Sequence, residues 1–257
     1  MTVVHQIAEY ADELLQSRIT PDYPNALNGL QLENRLAITG IAAAVDFSAR
    51  AIKGAIAKSA NLLIVHHGMF WEGSKHLTGA MYNRLRLLLE NDIAVYSSHL
   101  PLDRHPTVGN NVLLARQLGL DPTGIFAQFE GISIGVSGES NLETTLLADR
   151  AQSLANENGG ELRITPFEKN RRTKRWAICS GAGASAETLT EAREMKIDTL
   201  IVGEGPHWTA VFAEENDLTI LYAGHYATET LGVRALADHL GERFALPSSF
   251  VNAPTSL

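Results

Sequence analysis

The stretch AVDFSARAIKGAIAKSANLLIVHHGMFW (44–71) can be laid without a gap on GAGASAETLTEAREMKIDTLIVGEGPHW (181–208). Leu63-Ile64-Val65 then falls on Leu200-Ile201-Val202, Gly68 on Gly205 and Trp71 on Trp208. Each copy reads as a helix followed by a short apolar run that fits a buried strand. The likeness continues downstream. ENDIAVYSSHLPLD (90–103) matches ENDLTILYAGHYATE (215–229) with one residue inserted, which sets Glu90-Asn91-Asp92 on Glu215-Asn216-Asp217 and His99 on His225. Any two strand-helix units share a hydrophobic pattern. They need not share Gly, Trp and a Glu-Asn-Asp triplet, so a duplicated unit is the better explanation.

Outward from these copies, strands and helices alternate. Residues 3–16 read as a helix with Ile7, Tyr10, Ala11, Leu14 and Leu15 on one face. TPDYPNALNGLQLEN (20–34) reads as a loop, from Pro21, Pro24 and Asn28-Gly29. Strands are expected at 38–46, 62–67 and 93–98, and helices at 48–59, 79–91 and 109–119. In the second half a strand is expected at 131–137. Ser140-x-x-Glu143 reads as a capping box for a helix to about residue 157. Strands at 161–165 and 174–180 flank the basic turn EKNRRTKR (168–175), read as a solvated hairpin tip. The Gly-rich turn SGAGAS (180–185) leads into a helix at 185–196; a tight turn explains it better than a phosphate cradle. Strands at 199–204 and 218–224 and helices at 206–216 and 227–240 complete the chain. This alternation indicates an α/β fold with parallel pairing. Two similar α/β domains are expected, the first from 1–122 plus 233–257 and the second from 123–232.

The 257 residues can bury a full core, and 45% are hydrophobic. No apolar run approaches the ~20 residues of a membrane span. The amino-terminal stretch mixes charges with apolar residues, unlike a secretion signal. A single cysteine, Cys179, leaves no internal disulfide framework, so a cytoplasmic location is expected. The formal net charge of −8 argues against nucleic acid as a partner. Nine histidines stand beside that one cysteine, so any bound metal would be held by imidazole and carboxylate.

In open α/β sheets ligands bind beyond the carboxyl ends of strands. Four expected strand ends carry polar groups there. They are His66-His67; His99 with Asp103 four residues on; Glu204 with His207; and His225 with Glu229 four residues on. Adjacent residues on a strand point in opposite directions, so His66 and His67 are expected to reach two ions or two sides of one site. A His and a carboxylate four apart can converge where a loop enters a helix. Any one of these features alone would read as structural. Four at four strand ends point to a metal site of the Zn, Fe or Mn type. His5, His76, His105 and His239 read as surface or packing residues, and Cys179 as a small core residue.

LIVHHGMFW, SSHLPLD and AGHYATETLGVRAL together resemble the Nif-three-like family of dinuclear-metal proteins, often named GTP cyclohydrolase 1 type 2 homologues. The resemblance runs from NGLQLEN to the carboxyl terminus and is to the short bacterial type without an inserted domain. It implies two α/β domains facing each other across a dinuclear metal cleft, and a homo-hexameric toroid, a trimer of dimers. It implies that His66 and His67 each supply an imidazole, Asp103 a carboxylate, His225 a further imidazole and Glu229 a bridging carboxylate to two divalent transition-metal ions. His99 matches a family histidine near the metals, and His99 and Glu204 are assigned catalytic, proton-handling roles. PLDRHPTVGNN (101–111) replaces the family's commoner Gly-rich version of that loop. The function implied is a GTP cyclohydrolase-like hydrolase, with metal-activated hydroxide attacking C8 of guanine in a nucleotide-type small molecule. The alternative is a non-catalytic metal-binding or interaction protein forming a ring.

Overall fold

A computed structural model of the chain describes residues 3–256; the expected domain limits at 1 and 257 lie outside them. The chain divides into two compact units, Met1–Leu102 with Gly232–Ala253, and Asp103–Leu231 with Pro254–Leu257.

The first unit contains α1 (Val4–Leu15), β1 (Gly29–Leu32), β2 (Ile41–Asp46), α2 (Ala49–Ala57), β3 (Leu62–His67), α3 (Gly79–Glu90) and β4 (Ala94–Ser97). A short helix, α4 (Leu100–Asp103), ends at the boundary. The second unit contains α5 (Asn110–Gln117), β5 (Gly124–Phe129), β6 (Ile132–Glu143), α6 (Thr144–Glu157), β7 (Arg163–Ile164), β8 (Arg172–Cys179), α7 (Ala186–Glu194), β9 (Thr199–Val202), α8 (Trp208–Glu215) and β10 (Thr219–Tyr222). The long helix α9 (His225–Phe244) begins in the second unit and returns the chain to the first, where β11 (Ser248–Phe250) follows.

The first sheet has the order β1-β4-β3-β2-β11. Its three pairings from β11 to β4 are parallel, and all six residues of β3 are buried. An unbroken apolar run is what a strand covered on both faces requires. Leu63 and Val65 pack with Ile52 of α2 and Leu88 of α3 on one side of it. The strand β1 corrects the reading of 20–34 as loop throughout. It is a four-residue edge strand, antiparallel to β4, and is mostly half-buried. Its hydrogen bonds come from a distant sheet edge, and its four residues carry no period of their own.

The second sheet has the order β5-β6-β8-β9-β10-β7. The strands β8, β9 and β10 are parallel, as expected. The pairs β5–β6, β6–β8 and β7–β10 are antiparallel, which the strand-helix alternation did not anticipate. A two-residue turn explains the first pair. Glu130 (φ 44°) and Gly131 (φ 85°) both adopt positive φ, the geometry that matches strand twist in tight hairpins. The strand β6 runs on to Glu143, so Ser140 lies inside it and donates to the Thr173 carbonyl at 2.7 Å. The expected capping box therefore does not form. Much of the basic turn is strand too: Arg172 and Arg175 of β8 pair with Glu143 and Glu139 of β6, and Arg171 with Asp217. The core follows the period-two rule along β8 and β9. Trp176, Ile178 and Ile201 pack on the α6 side with Leu147 and Leu154; Ala177, Cys179, Leu200 and Val202 face Leu189 of α7.

Each unit thus carries three parallel strands joined by two helices, β2-α2-β3-α3-β4 and β8-α7-β9-α8-β10. The polar residues singled out above sit at the ends of these strands. Among the described residues, no helix is long and apolar enough to cross a membrane.

Candidate metal centre

In the first unit β3 ends on His66 and His67, and His99 follows β4. All three are buried, and each offers a ligand atom within 4.8 Å of the other two. The His66 and His67 rings lie 4.9 Å apart between centroids. They do not diverge as adjacent strand residues would, because each ring is turned by its own tether. The His66 Nδ1 meets the Ser98 carbonyl at 2.9 Å, and the His67 Nδ1 meets Asp46 Oδ1 at 2.8 Å. The His99 Nδ1 meets Asp22 Oδ1 at 2.8 Å. Trp71 packs against the rings of both His67 and His99, at 4.7 and 4.5 Å between centroids.

These tethers choose the tautomer. A carbonyl can only accept, and so can an ionised carboxylate. Burial alone would raise the Asp22 carboxyl, but the hydrogen bond and charge of His99, with Asn28 and the Tyr23 amide, hold it below its usual range. The proton of each neutral ring therefore sits on Nδ1, and the lone pair that can bind a cation sits on Nε2. Oxygen acceptors behind imidazoles are the usual support of metal-binding histidines. Asp22 and Asn28 belong to the segment read as a loop. Asp22 Oδ2 also accepts from the Leu100 amide and Asn28, and Asn28 Oδ1 accepts from the His99 amide. That segment is the cradle of His99, which its proline and turn signals could not reveal.

The second unit carries the acidic part of the set. His225 is the first residue of α9 and Glu229 lies one turn on, with His225 Nε2 3.2 Å from Glu229 Oε2. Glu204, just beyond β9, takes the His225 Nδ1 at 2.8 Å. The expected convergence of a His and a carboxylate four apart thus occurs on this helix. Burial lowers His225, but the hydrogen bonds and charges of Glu229 and then Glu204 outweigh it and lift the imidazole to about 9. Asp103, the last residue of α4, is buried and accepts from Asn110 at 2.8 Å and the Ser180 hydroxyl at 3.3 Å. The turn SGAGAS has a local reason for its first glycine. Gly181 has φ +62°, and a Cβ there would lie 2.1 Å from Glu229 Oε1. Ser185 caps α7 by accepting from the Thr188 amide. The turn makes room for Glu229.

The remaining histidines are placed otherwise. His5 meets Glu33 on the surface, His239 meets the Tyr10 hydroxyl, and His76 is exposed. His207 is exposed at the start of α8. Cys179 is buried in the core, where burial pushes its thiol far up, reinforced by Asp103 and Glu229.

A cation must displace the proton that His225 holds. In metal-free protein this ring should titrate near pH 9, read by proton-nitrogen correlation of the imidazole. Metal affinity should then rise by about tenfold per pH unit between neutrality and that value, and flatten above it. An affinity independent of pH over that window would exclude His225 as a ligand.

The family model described as Duf34/NIF3 (NGG1p interacting factor 3) matches residues 2–254. A Pyrococcus abyssi protein named GTP cyclohydrolase 1 type 2 homolog is 40% identical over 253 residues, 98% of either chain. One of the same name from Deinococcus radiodurans is 38% identical, over 98% of this chain and 94% of that one. A solved structure described as protein ybgI, of unknown function, superposes with a TM-score of 0.88 at 32% identity, over 98% of this chain and 99% of that one. By sequence and by fold, this chain belongs to the Duf34/NIF3 family.

Proposed function

We propose that the protein is a dinuclear-metal-dependent hydrolase with GTP cyclohydrolase-like chemistry. One observation carries the metal reading. Four imidazoles, those of His66, His67, His99 and His225, have Nδ1 against an oxygen acceptor, which leaves Nε2 as the ligating nitrogen. His66 and His67 would each supply a nitrogen, Asp103 a carboxylate, His225 a third imidazole and Glu229 a bridging carboxylate. This nitrogen-oxygen donor set, without thiolate, fits Zn, Fe or Mn. Two such ions supply Lewis acidity and make water a stronger acid near neutral pH.

The side chains divide the remaining work. Asp22 fixes the His99 ring so that Nε2 is a proton acceptor. Glu204 orients His225, and its half-exposed carboxylate would exchange a proton with solvent. Trp71 shields His67 and His99 from water. The reaction proposed is addition of water at C8 of guanine with opening of the five-membered ring to a formamide, hydrolysis of that formamide by a second water to release C8 as formate, and condensation of the freed amine with the rearranged ribose, which returns one water. Support for that substrate is the name carried by the relatives. A homo-hexameric ring in the cytoplasm completes the proposal, on the same family likeness.

The test incubates metal-replete protein with GTP and measures formate and dihydroneopterin triphosphate. Both should appear with the wild type and be absent with Glu229→Ala. Bound metal without either product, across Zn, Fe and Mn, would overturn the cyclohydrolase reading in favour of a non-catalytic metal-binding ring.

A further inference from the structure

Two cavities of the second unit adjoin the residues described above. One, of about 720 Å³, is lined by Glu204, His207, Glu161 and Arg163. Its only arginine among the described residues is paired with Glu161 at 2.9 Å, so it offers no net attraction for an anion. The other, of about 680 Å³, has the opposite character. Arg104, His105 and Arg116 line it, and Asp103 is the only carboxylate among the described residues that do. In a chain of net charge −8, a cavity lined by two guanidiniums and one carboxylate departs from the average surface.

The histidine adds a directed donor. His105 Nδ1 accepts from the Thr107 and Val108 amides, at 3.3 and 3.2 Å. An amide can only donate, so the proton of the neutral ring sits on Nε2. His105 is thus the inverse of His66, His67 and His99: it presents an N–H where they present a lone pair. Arg104 and His105 directly follow Asp103, and Arg116 comes from the last turn of α5. Three cationic or N–H donors from two segments surround a volume within the range of small-molecule sites, about 300–1,000 Å³. Guanidinium forks match the oxygens of phosphate in geometry and charge.

We propose that this cavity binds the phosphate of a phosphorylated small molecule through Arg104, Arg116 and His105 Nε2–H, and so presents the rest of that molecule to Asp103. The proposal deepens the hydrolase reading and rests on it for Asp103's role. It assigns function to Arg104-His105 within the loop PLDRHPTVGNN.

The test is calorimetric titration of the full-length protein, as purified, with inorganic phosphate and separately with acetate, with metal content measured on the same samples. Wild type should bind phosphate more tightly than acetate. In Arg104→Ala/Arg116→Ala, phosphate affinity should fall by about tenfold for each arginine removed, with metal content unchanged. Both arginines are exposed, so the double variant should keep the wild-type unfolding temperature. Equal phosphate affinity in the two proteins, acetate binding as tight as phosphate, or no saturable phosphate binding by wild type would each overturn the proposal. Metal content decides the hydrolase reading separately. A metal-free protein that still binds phosphate through these arginines would remove that reading and leave the anion site standing.

Discussion

Glu229→Ala is expected to remove most of the bound metal. The wild-type protein, purified without added metal, should carry about two transition-metal ions per chain, as two-metal hydrolase sites do. The variant should carry fewer than one. The carboxylate is 3% exposed, reaches His225 at 3.2 Å and is proposed to hold both ions. Outer-shell partners of metal ligands already cost about 10–100-fold in affinity when lost. A bridging ligand should exceed that, and hydrolase activity should vanish with it. The fold should survive. Glu229 is the main group lifting His225, so without it the imidazole can lie neutral and strand no charge. Elemental analysis and a thermal melt of the same sample read the two effects apart. Unchanged metal content would remove Glu229 from the site.

Gly181→Ala is expected to combine strain with loss of metal. Its φ of +62° lies in the left-handed region, where a side chain costs about 1–2 kcal/mol. The new Cβ would also stand 2.1 Å from Glu229 Oε1, so the carboxylate must shift. Functional constellations tolerate displacements of only about 0.5 Å. The melting temperature should fall by about 2–8 °C and metal content should drop. Gly183→Ala is the control. Its Cβ would meet the Cys179 carbonyl oxygen at 2.1 Å, so it should destabilise the turn and keep the metal. Equal metal loss in both variants would mean that the turn matters only through stability.

Much of the fold was legible because period encodes it. The apolar run ending in His66-His67 could be little else than a buried strand, and it is one. His225 and Glu229 were readable as a pair because four residues make one helical turn. Antiparallel β5 and β6 were not legible as a pair. Their turn, Glu130-Gly131, offers a single glycine as its signal. Ser140-x-x-Glu143 matched a capping box in letters, while the pairing of β6 with β8 claimed Ser140 for the strand.

By itself the sequence determined the α/β class, the repeated strand-helix-strand unit and the imidazole-carboxylate character of the site. These depend on hydrophobic period and on residue type, which are local. Only the tertiary structure decided which oxygen stands behind each imidazole. Asp22 lies 77 residues from His99, and Asp46 lies 21 residues from His67. With 29 acidic residues in the chain, nothing local marks these two. The Ser98 carbonyl behind His66 belongs to the backbone and has no letter at all. A hydrogen bond between distant segments is set by how strands and loops pack, and that packing chose the nitrogen each histidine presents.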